Sequence, residues 1–439
     1  MKELILDNIL FIALICITYE VIIFYYANRN PKLTNLVETT VVIFFLLCSP
    51  DISLKPFTFL HASNIAVHDK SMTMIIAQLS VYTGAMLLAA SRFRYIFSNS
   101  LVLLKDPFLT LLILITLLSA FWSNIPIVTL RGALVLIGLS IVSAHIGVRY
   151  TWSKIYRIFL IVNTLTLALS TIKPGHHPKG WTGIVDHPIP FGNLMALTSA
   201  LWIMYAVYNP KQRRMAILFS VWSITAMQMA NSAQGFVTFV VLLSLLIWLR
   251  FIKSLSFKYA FTAILVFMVV GIVGGILIIE NLENIANALG KDMTLTGRTE
   301  IWASLAPKIQ ERFWLGYGLV GFWQPWKGID NPAYNVRTDI GWLAPNAHQG
   351  FLEIWISVGL IGLILFFLSF LRTVAHGAYY LSKSKIPEAG LPLVLLTFLL
   401  MANLTESQIY VLSRANIWCY YVLTVAKLGS TRPLDLRKF

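Results

Sequence analysis

Apolar runs of the length that crosses a bilayer, roughly 20 residues, recur along this chain and leave little room for any other architecture. They lie near 4–27, 36–50, 72–90, 107–122, 126–147, 153–172, 189–208, 215–231, 234–250, 257–279, 347–371, 389–404 and 415–428. Only 12% of the 439 residues are charged and 57% are hydrophobic, whereas a soluble domain carries about 25% charged residues. The expected fold is an all-α polytopic membrane protein with about 12–13 transmembrane helices. One of the first two runs is also open to a re-entrant or interfacial reading.

The first run follows Met1-Lys2-Glu3, with no small-residue cleavage site before Tyr25-Tyr26, so it does not read as a cleavable signal. Cys16, Cys48 and Cys419 all fall in apolar runs, which argues against a disulfide framework and a cysteine-built zinc site.

The net charge of +15 is an orientation signal rather than a nucleic-acid footprint. When connections are counted alternately, Arg29/Lys32, Arg92/Arg94/Lys105, Arg149/Lys154/Arg157, Lys211/Arg213/Arg214, Arg250/Lys253/Lys258, Arg372/Lys383/Lys385 and Lys427/Arg432/Arg437/Lys438 share one side. They make up 21 of the 34 basic residues. Short connections rich in Lys and Arg stay cytoplasmic. The opposite, outer side then receives 51–71, Trp122–Pro126, 173–188, Asn231–Gln234, 280–346 and 404–414. Every unusual polar cluster is on that side. ATP and nucleotide sugars are absent there, so any transfer needs a pre-activated donor delivered by the membrane.

The chain divides into a helix block over 1–279, a large outer loop over 280–346, further spans over 347–428 and a tail over 429–439. The loop begins with a predicted amphipathic helix over 280–294, ended by glycine, and repeats the pattern over 298–312 with Ile301, Trp302, Leu305 and Ile309 on one face. A glycine- and aromatic-rich segment follows, then an irregular one. Six tryptophans lie between 302 and 355. Aromatics at a membrane surface anchor it, but six exceed that need, and Trp323 is a candidate platform for a sugar ring.

Four stretches resemble the signature of the O-antigen ligase and polymerase superfamily. One is Leu295-Thr296-Gly297-Arg298-Thr299-Glu300-Ile301-Trp302, then Gly316-Tyr317-Gly318 with Phe322-Trp323, then Ala347-His348-Gln349-Gly350-Phe351-Leu352-Glu353 with Gly359-Leu360-Ile361-Gly362. The others are Ser119-Ala120-Phe121-Trp122-Ser123 with Pro126 and Leu130-Arg131, the loop Gly180–Pro188, and Asn403-Leu404-Thr405-Glu406-Ser407. Phe322-Trp323 and the Asn-x-Thr-Glu-Ser element are most similar to the exopolysaccharide-polymerase branch. The resemblance implies a GT-C-like, metal-independent glycosyltransferase of the bacterial inner membrane, with its site facing the periplasm and no cofactor. Its donor would be a glycan on undecaprenyl diphosphate. Its acceptor would be a sugar hydroxyl, on another lipid-linked repeat unit for a polymerase or on lipid A-core for a ligase.

The residue chemistry agrees. Breaking the anomeric C–O bond builds negative charge on the departing diphosphate, and arginine meets phosphate oxygens with a planar, permanently charged fork. Arg298 is the candidate clamp. The acceptor hydroxyl needs a base, and His348 is a residue type that titrates near working pH. Arg131, inside a span, is a candidate contact for the diphosphate, since an intramembrane charge defaults to a functional or paired role. Asp186 and His187 form a candidate second site. Glu406 and Arg414 are expected to pair with each other or to orient the base, while Glu300 and Glu353 are expected as partners of Arg298 and His348.

Ligases of the superfamily carry an arginine in a Ser-Arg-Gly element, where this chain has Ser232-Ala233-Gln234-Gly235. Gln234 can donate a hydrogen bond to phosphate but brings no charge, so either Arg131, Lys179 or Arg414 supplies it or the donor is held differently. There is no Gly-x-x-x-x-Gly-Lys-Ser/Thr loop. His176-His177 lacks a third metal ligand at suitable spacing. The rival class, a transporter of the same lipid-linked glycan, calls for two similar halves with broken helices, and the sequence shows no internal repeat.

Overall fold

The computed structural model describes residues 30–49, 94–185, 187–288, 298–338, 341–404, 406–411 and 415–431. The expected spans near 4–27 and 72–90, the connection 51–71, Asp186, residues 289–297, Thr405, Arg414 and the tail beyond 431 lie outside the described residues.

The described chain is helical almost throughout. The helices are α1 Pro31–Cys48, α2 Pro107–Leu118, α3 Pro126–Arg149, α4 Trp152–Ile172, α5 Pro188–Tyr208 and α6 Arg213–Met229. They continue as α7 Ala233–Ile252, α8 Phe257–Ala288, α9 Arg298–Glu311, α10 Gly350–Lys383, α11 Leu391–Ala402 and α12 Asn416–Ser430. A further helical segment, Arg94–Lys105, leads into α2 across a 109° bend. Among the described residues six helices are long and apolar enough to cross a membrane, or seven if the bent pair is one span. The protein is an all-α polytopic membrane protein.

Local chemistry sets the helix starts. Proline occupies the first turn of α1, α2, α3 and α5, where its fixed φ suits the helix and no N–H is missed. Asn30, Asp106, Thr151, His187, Ser232 and Gln349 each accept a backbone N–H of the helix that follows, which satisfies donors that helix geometry leaves orphaned. The helices form an inner and an outer layer. All of α11 and nearly all of α12 is buried, as is 83% of the apolar window of α5. By contrast only 22% of the α8 window is covered by protein, so lipid is its main neighbour. Among the described residues the one small sheet is a hairpin pairing His176 with Trp181 and His177 with Gly180.

Two expected boundaries shift. The span 257–279 and the helix expected from 280 are one 32-residue element, α8, because no Pro or Gly separates Ile279 from Ala288. The helix expected over 298–312 forms as α9, with Ile301, Leu305 and Ile309 buried on one face.

The second shift concerns α10, which begins at Gly350 and continues to Lys383 but is broken at Val358 and Gly359. A break inside a membrane helix strips carbonyls and N–H groups of their partners, at about 1–3 kcal/mol for each one left buried and unpaired. The aromatic loop supplies them. Tyr317 N–H donates to Ile356 O at 2.9 Å and Gly318 N–H to Ser357 O at 2.8 Å, while Leu360 N–H donates to Phe313 O at 2.9 Å. The Gly-Tyr-Gly element is thus threaded into α10. On its other side Leu319 N–H donates to Ser119 Oγ at 3.2 Å, and Trp122 Nε1 to Leu315 O at 3.0 Å. The turn before α3 therefore cradles the same loop. Tyr317 also fixes α9, its hydroxyl donating to Glu311 Oε2 at 2.8 Å. Burial and this carboxylate push the phenol up, and the hydrogen bond from Lys308 holds the Glu311 carboxyl below its usual range.

Candidate active site

Three segments far apart in sequence converge where α9 and α10 begin and α11 ends. Arg298 opens α9, His348 lies two residues before α10, and Glu406 lies in the turn between α11 and α12. Glu406 is 1% exposed, and its Oε1 accepts from Arg298 Nη2 at 3.3 Å and lies 3.3 Å from His348 Nδ1. The arginine and histidine side chains keep 18% and 16% of their surface, so one buried carboxylate holds two partly exposed groups. With Nδ1 facing the carboxylate, its proton is held there and the lone pair belongs to Nε2. Nε2 is buried and has no hydrogen-bond partner among the described residues. The indole of Trp342 lies 5.7 Å from the imidazole, ring centre to ring centre.

Backbone chemistry explains how His348 reaches this position. Its φ is +49°, a region that residues other than glycine rarely occupy, and its N–H donates to Asn346 Oδ1 at 2.9 Å in an Asx turn. Strain of this kind persists only where the surroundings impose it, and here Glu353 does so. That side chain is 4% exposed. Its carboxylate accepts from Trp323 Nε1 at 2.8 Å, Ala347 N–H at 2.9 Å and Ser407 Oγ at 3.2 Å. It thereby ties the aromatic loop, the residue before His348 and the residue after Glu406 into one register. A glutamine presents one acceptor and two donors to those three donors. Glu353→Gln is accordingly expected to lower stability by about 1–3 kcal/mol. Thermal unfolding of detergent-purified protein measures this, and an unchanged midpoint would remove Glu353 from the cohesion of the site.

Asn403 builds the turn that presents Glu406. Fully buried, its Oδ1 accepts from Gln408 N–H at 3.1 Å and Ile409 N–H at 2.8 Å, and its backbone carbonyl accepts from Gly350 N–H at 3.0 Å. A side chain at position 350 would collide with Asn403, which accounts for the glycine at the start of α10. Sequence reasoning placed Asn403 and Ser407 in a motif without giving them these tasks. The available signal was an Asn, Glu and Ser cluster directly after an apolar run, which marks a side-chain-built turn.

The remaining candidates are distributed as follows. Trp323 binds Glu353 through its indole nitrogen and packs edge-on against Phe322. Glu300 is half-buried in the first turn of α9. Gln234 is buried, and its amide nitrogen donates to Met401 O at 2.8 Å and Ala402 O at 3.1 Å, so it clasps the last turn of α11 beneath Asn403. Its Oε1 has no partner among the described residues. His187 caps α5, accepting from Ile189 N–H at 3.4 Å, with its ring 5.3 Å from that of His177; the structure groups it with the hairpin rather than with His348. Arg131 is exposed on the second turn of α3 and forms no ion pair with a described residue. Arg414, expected as a partner of Glu406, lies outside the described residues. Among the described residues no three His, Cys, Asp or Glu side chains cluster as a metal site would require.

Residues 218–367 match the family model described as O-Antigen ligase. The match takes in Gln234, Arg298, Trp323, His348 and Glu353 and stops before Glu406. It marks an O-antigen ligase/polymerase-type glycosyltransferase domain. No curated protein matches the chain.

Proposed function

We propose that this chain, which belongs to the O-antigen ligase and polymerase superfamily through that domain, transfers a glycan from undecaprenyl diphosphate to a sugar hydroxyl at the periplasmic face of the bacterial inner membrane. The observation that carries the reading is the carboxylate of Glu406 shared between Arg298 and His348, with Nε2 of His348 unpartnered among the described residues. In this reaction Nε2 takes the proton of the acceptor hydroxyl as its oxygen attacks the anomeric carbon. Glu406 holds the ring in the tautomer that makes Nε2 the base and stabilises the imidazolium that forms. The guanidinium nitrogens of Arg298 not bound to Glu406 meet the diphosphate oxygens as the C–O bond breaks and charge collects on the leaving group. Stabilising charge where it develops is usually the largest catalytic term. A single displacement of this kind inverts the anomeric centre. No step calls for a metal ion.

The acceptor we favour is a second lipid-linked repeat unit, which makes the protein an exopolysaccharide or O-antigen polymerase. Ala233-Gln234-Gly235 where ligases carry Ser-Arg-Gly, Phe322-Trp323 and the Glu406-Ser407 turn support this branch over a ligase acting on lipid A-core. Deletion and complementation test both levels. Arg298→Ala and His348→Ala are expected to abolish transfer while the protein inserts at wild-type amounts, and wild-type transfer by Arg298→Ala would sink the mechanism. Loss of a polymerase leaves single repeat units in the cell; loss of a ligase leaves long polymer that never reaches lipid A-core. An impermeant thiol reagent against a cysteine placed at Lys327 tests the sidedness, with labelling from the periplasm expected in intact cells.

A further inference from the structure

From their connection toward the middle of both helices, where Gly271 faces Val241, α7 and α8 part around a groove of about 560 Å³. This is the size range of a ligand site. The walls are Trp248, Phe251, Tyr259, Val266 and Val270, with Ala263 between them. The large side chains are strongly exposed to the membrane side, Tyr259 at 65% and Val270 at 64%, while Leu255, Ala263 and Phe267 rest on the protein core. The hydroxyl of Thr262 bonds to Lys258 O, so it presents no unmet donor to the groove. Such walls suit a hydrocarbon chain.

The end of the groove at the α7–α8 connection has different chemistry. Arg250, Lys253 and Lys258 lie there, all exposed, and none forms an ion pair with a described residue. Residues 246–260 contain no Asp or Glu. Three cations beside an apolar channel running along a membrane helix are complementary to one kind of molecule, with an acyl chain in the channel and an anionic phosphate at its mouth. We propose that this groove is a binding site for a single anionic phospholipid, separate from the glycan-transfer site. Juxtamembrane Lys and Arg favour anionic headgroups by about 1 kcal/mol each. With screening at an exposed rim, the three are expected to give a preference on the order of tenfold.

Native mass spectrometry of the full-length detergent-purified protein, titrated with phosphatidylglycerol or phosphatidylcholine, reads the site directly and needs no transfer assay. The wild type is expected to retain one phosphatidylglycerol at about a tenfold lower concentration than phosphatidylcholine. The triple variant Arg250→Gln/Lys253→Gln/Lys258→Gln should lose that preference. Ala263→Trp, which fills the channel, should weaken both lipids. The matched variant Arg157→Gln/Lys211→Gln/Arg214→Gln removes three exposed cations from other connections and should behave as wild type. Equal binding of the two lipids by the wild type overturns the proposal. So does an equal loss of preference in the matched variant, or a dimer that buries the groove in place of lipid. None of these outcomes bears on Arg298 or His348. The triple variant decides the question even if Ala263→Trp fails to fold.

Discussion

Glu406→Gln is expected to reduce glycan transfer by about 10³–10⁴-fold with little loss of folded protein. The carboxylate oxygen of Glu406 serves two donors at once, the guanidinium of Arg298 and the Nδ1–H of His348, each at 3.3 Å. An amide of the same shape offers one acceptor oxygen and, on the other side, two hydrogens. Both groups face Oε1, so an amide nitrogen in its place donates to Nδ1 and meets the guanidinium hydrogen to hydrogen. The proton then moves to Nε2, and the base is lost. An equivalent change of tautomer in a Ser-His-Asp triad lowers turnover about 10⁴-fold with the geometry intact. The loss of negative charge adds a second deficit, because the forming imidazolium and the guanidinium then repel each other without a counter-ion. Glu406→Ala goes further by leaving two donors facing a void, and breaking a buried pair costs about 3–5 kcal/mol, so that variant is expected to be poor in folded protein as well. The informative comparison is Gln with wild type at equal protein amount, scored as polymer on a gel from complemented cells. Transfer within about tenfold of wild type for Glu406→Gln would show that the carboxylate does not set the His348 tautomer.

The elements of this site were legible to different degrees. Arg298 and His348 could be picked out because arginine and histidine are scarce in a chain this apolar and both fell in one polar island. The helices were legible because each run of about 20 apolar residues has a single way to satisfy its backbone in a bilayer. Glu406 was expected either to pair with Arg414 or to orient the base, and its contacts with Arg298 and His348 depend on an approach of segments 108 and 58 residues apart. No local pattern encodes that approach. Gln234 could be read as a substitute phosphate ligand because sequence spacing does not reveal that its amide nitrogen reaches Met401 O and Ala402 O. Likewise the continuous α8 and the broken α10 have similar hydropathy. What separates them is the loop threaded into α10, a contact between distant residues that hydropathy cannot register.

That threaded loop leads to the largest expected effect on folding, at Gly359. Its φ of +72° with ψ of −176° lies in a region essentially confined to glycine. A methyl group there would sit 2.0 Å from Trp314 O, a backbone atom already engaged with Ile361 N–H across the break. Alanine therefore meets both forbidden dihedrals and a collision that no side-chain rotation relieves. The dihedral strain alone is about 1–3 kcal/mol, and the displacement of 313–318 that the collision forces would unpair the groups at the break at about 1–3 kcal/mol each. Gly359→Ala is expected to accumulate poorly and to melt well below wild type. Gly274→Ala, in α8 with nothing near a built Cβ, is the matched control and should be neutral or stabilising by up to about 1 kcal/mol. A wild-type melting temperature for Gly359→Ala would mean that the break and its threaded loop are not the stable form of α10. The result bears on chemistry as well as stability. The segment of α10 before the break carries Glu353, and the loop threaded into it carries Trp323, so a loop pushed out of the break pulls Trp323 from Glu353 and loosens the register that holds Ala347 and His348. A partly folded Gly359→Ala protein is thus expected to lose transfer out of proportion to its loss of folded mass.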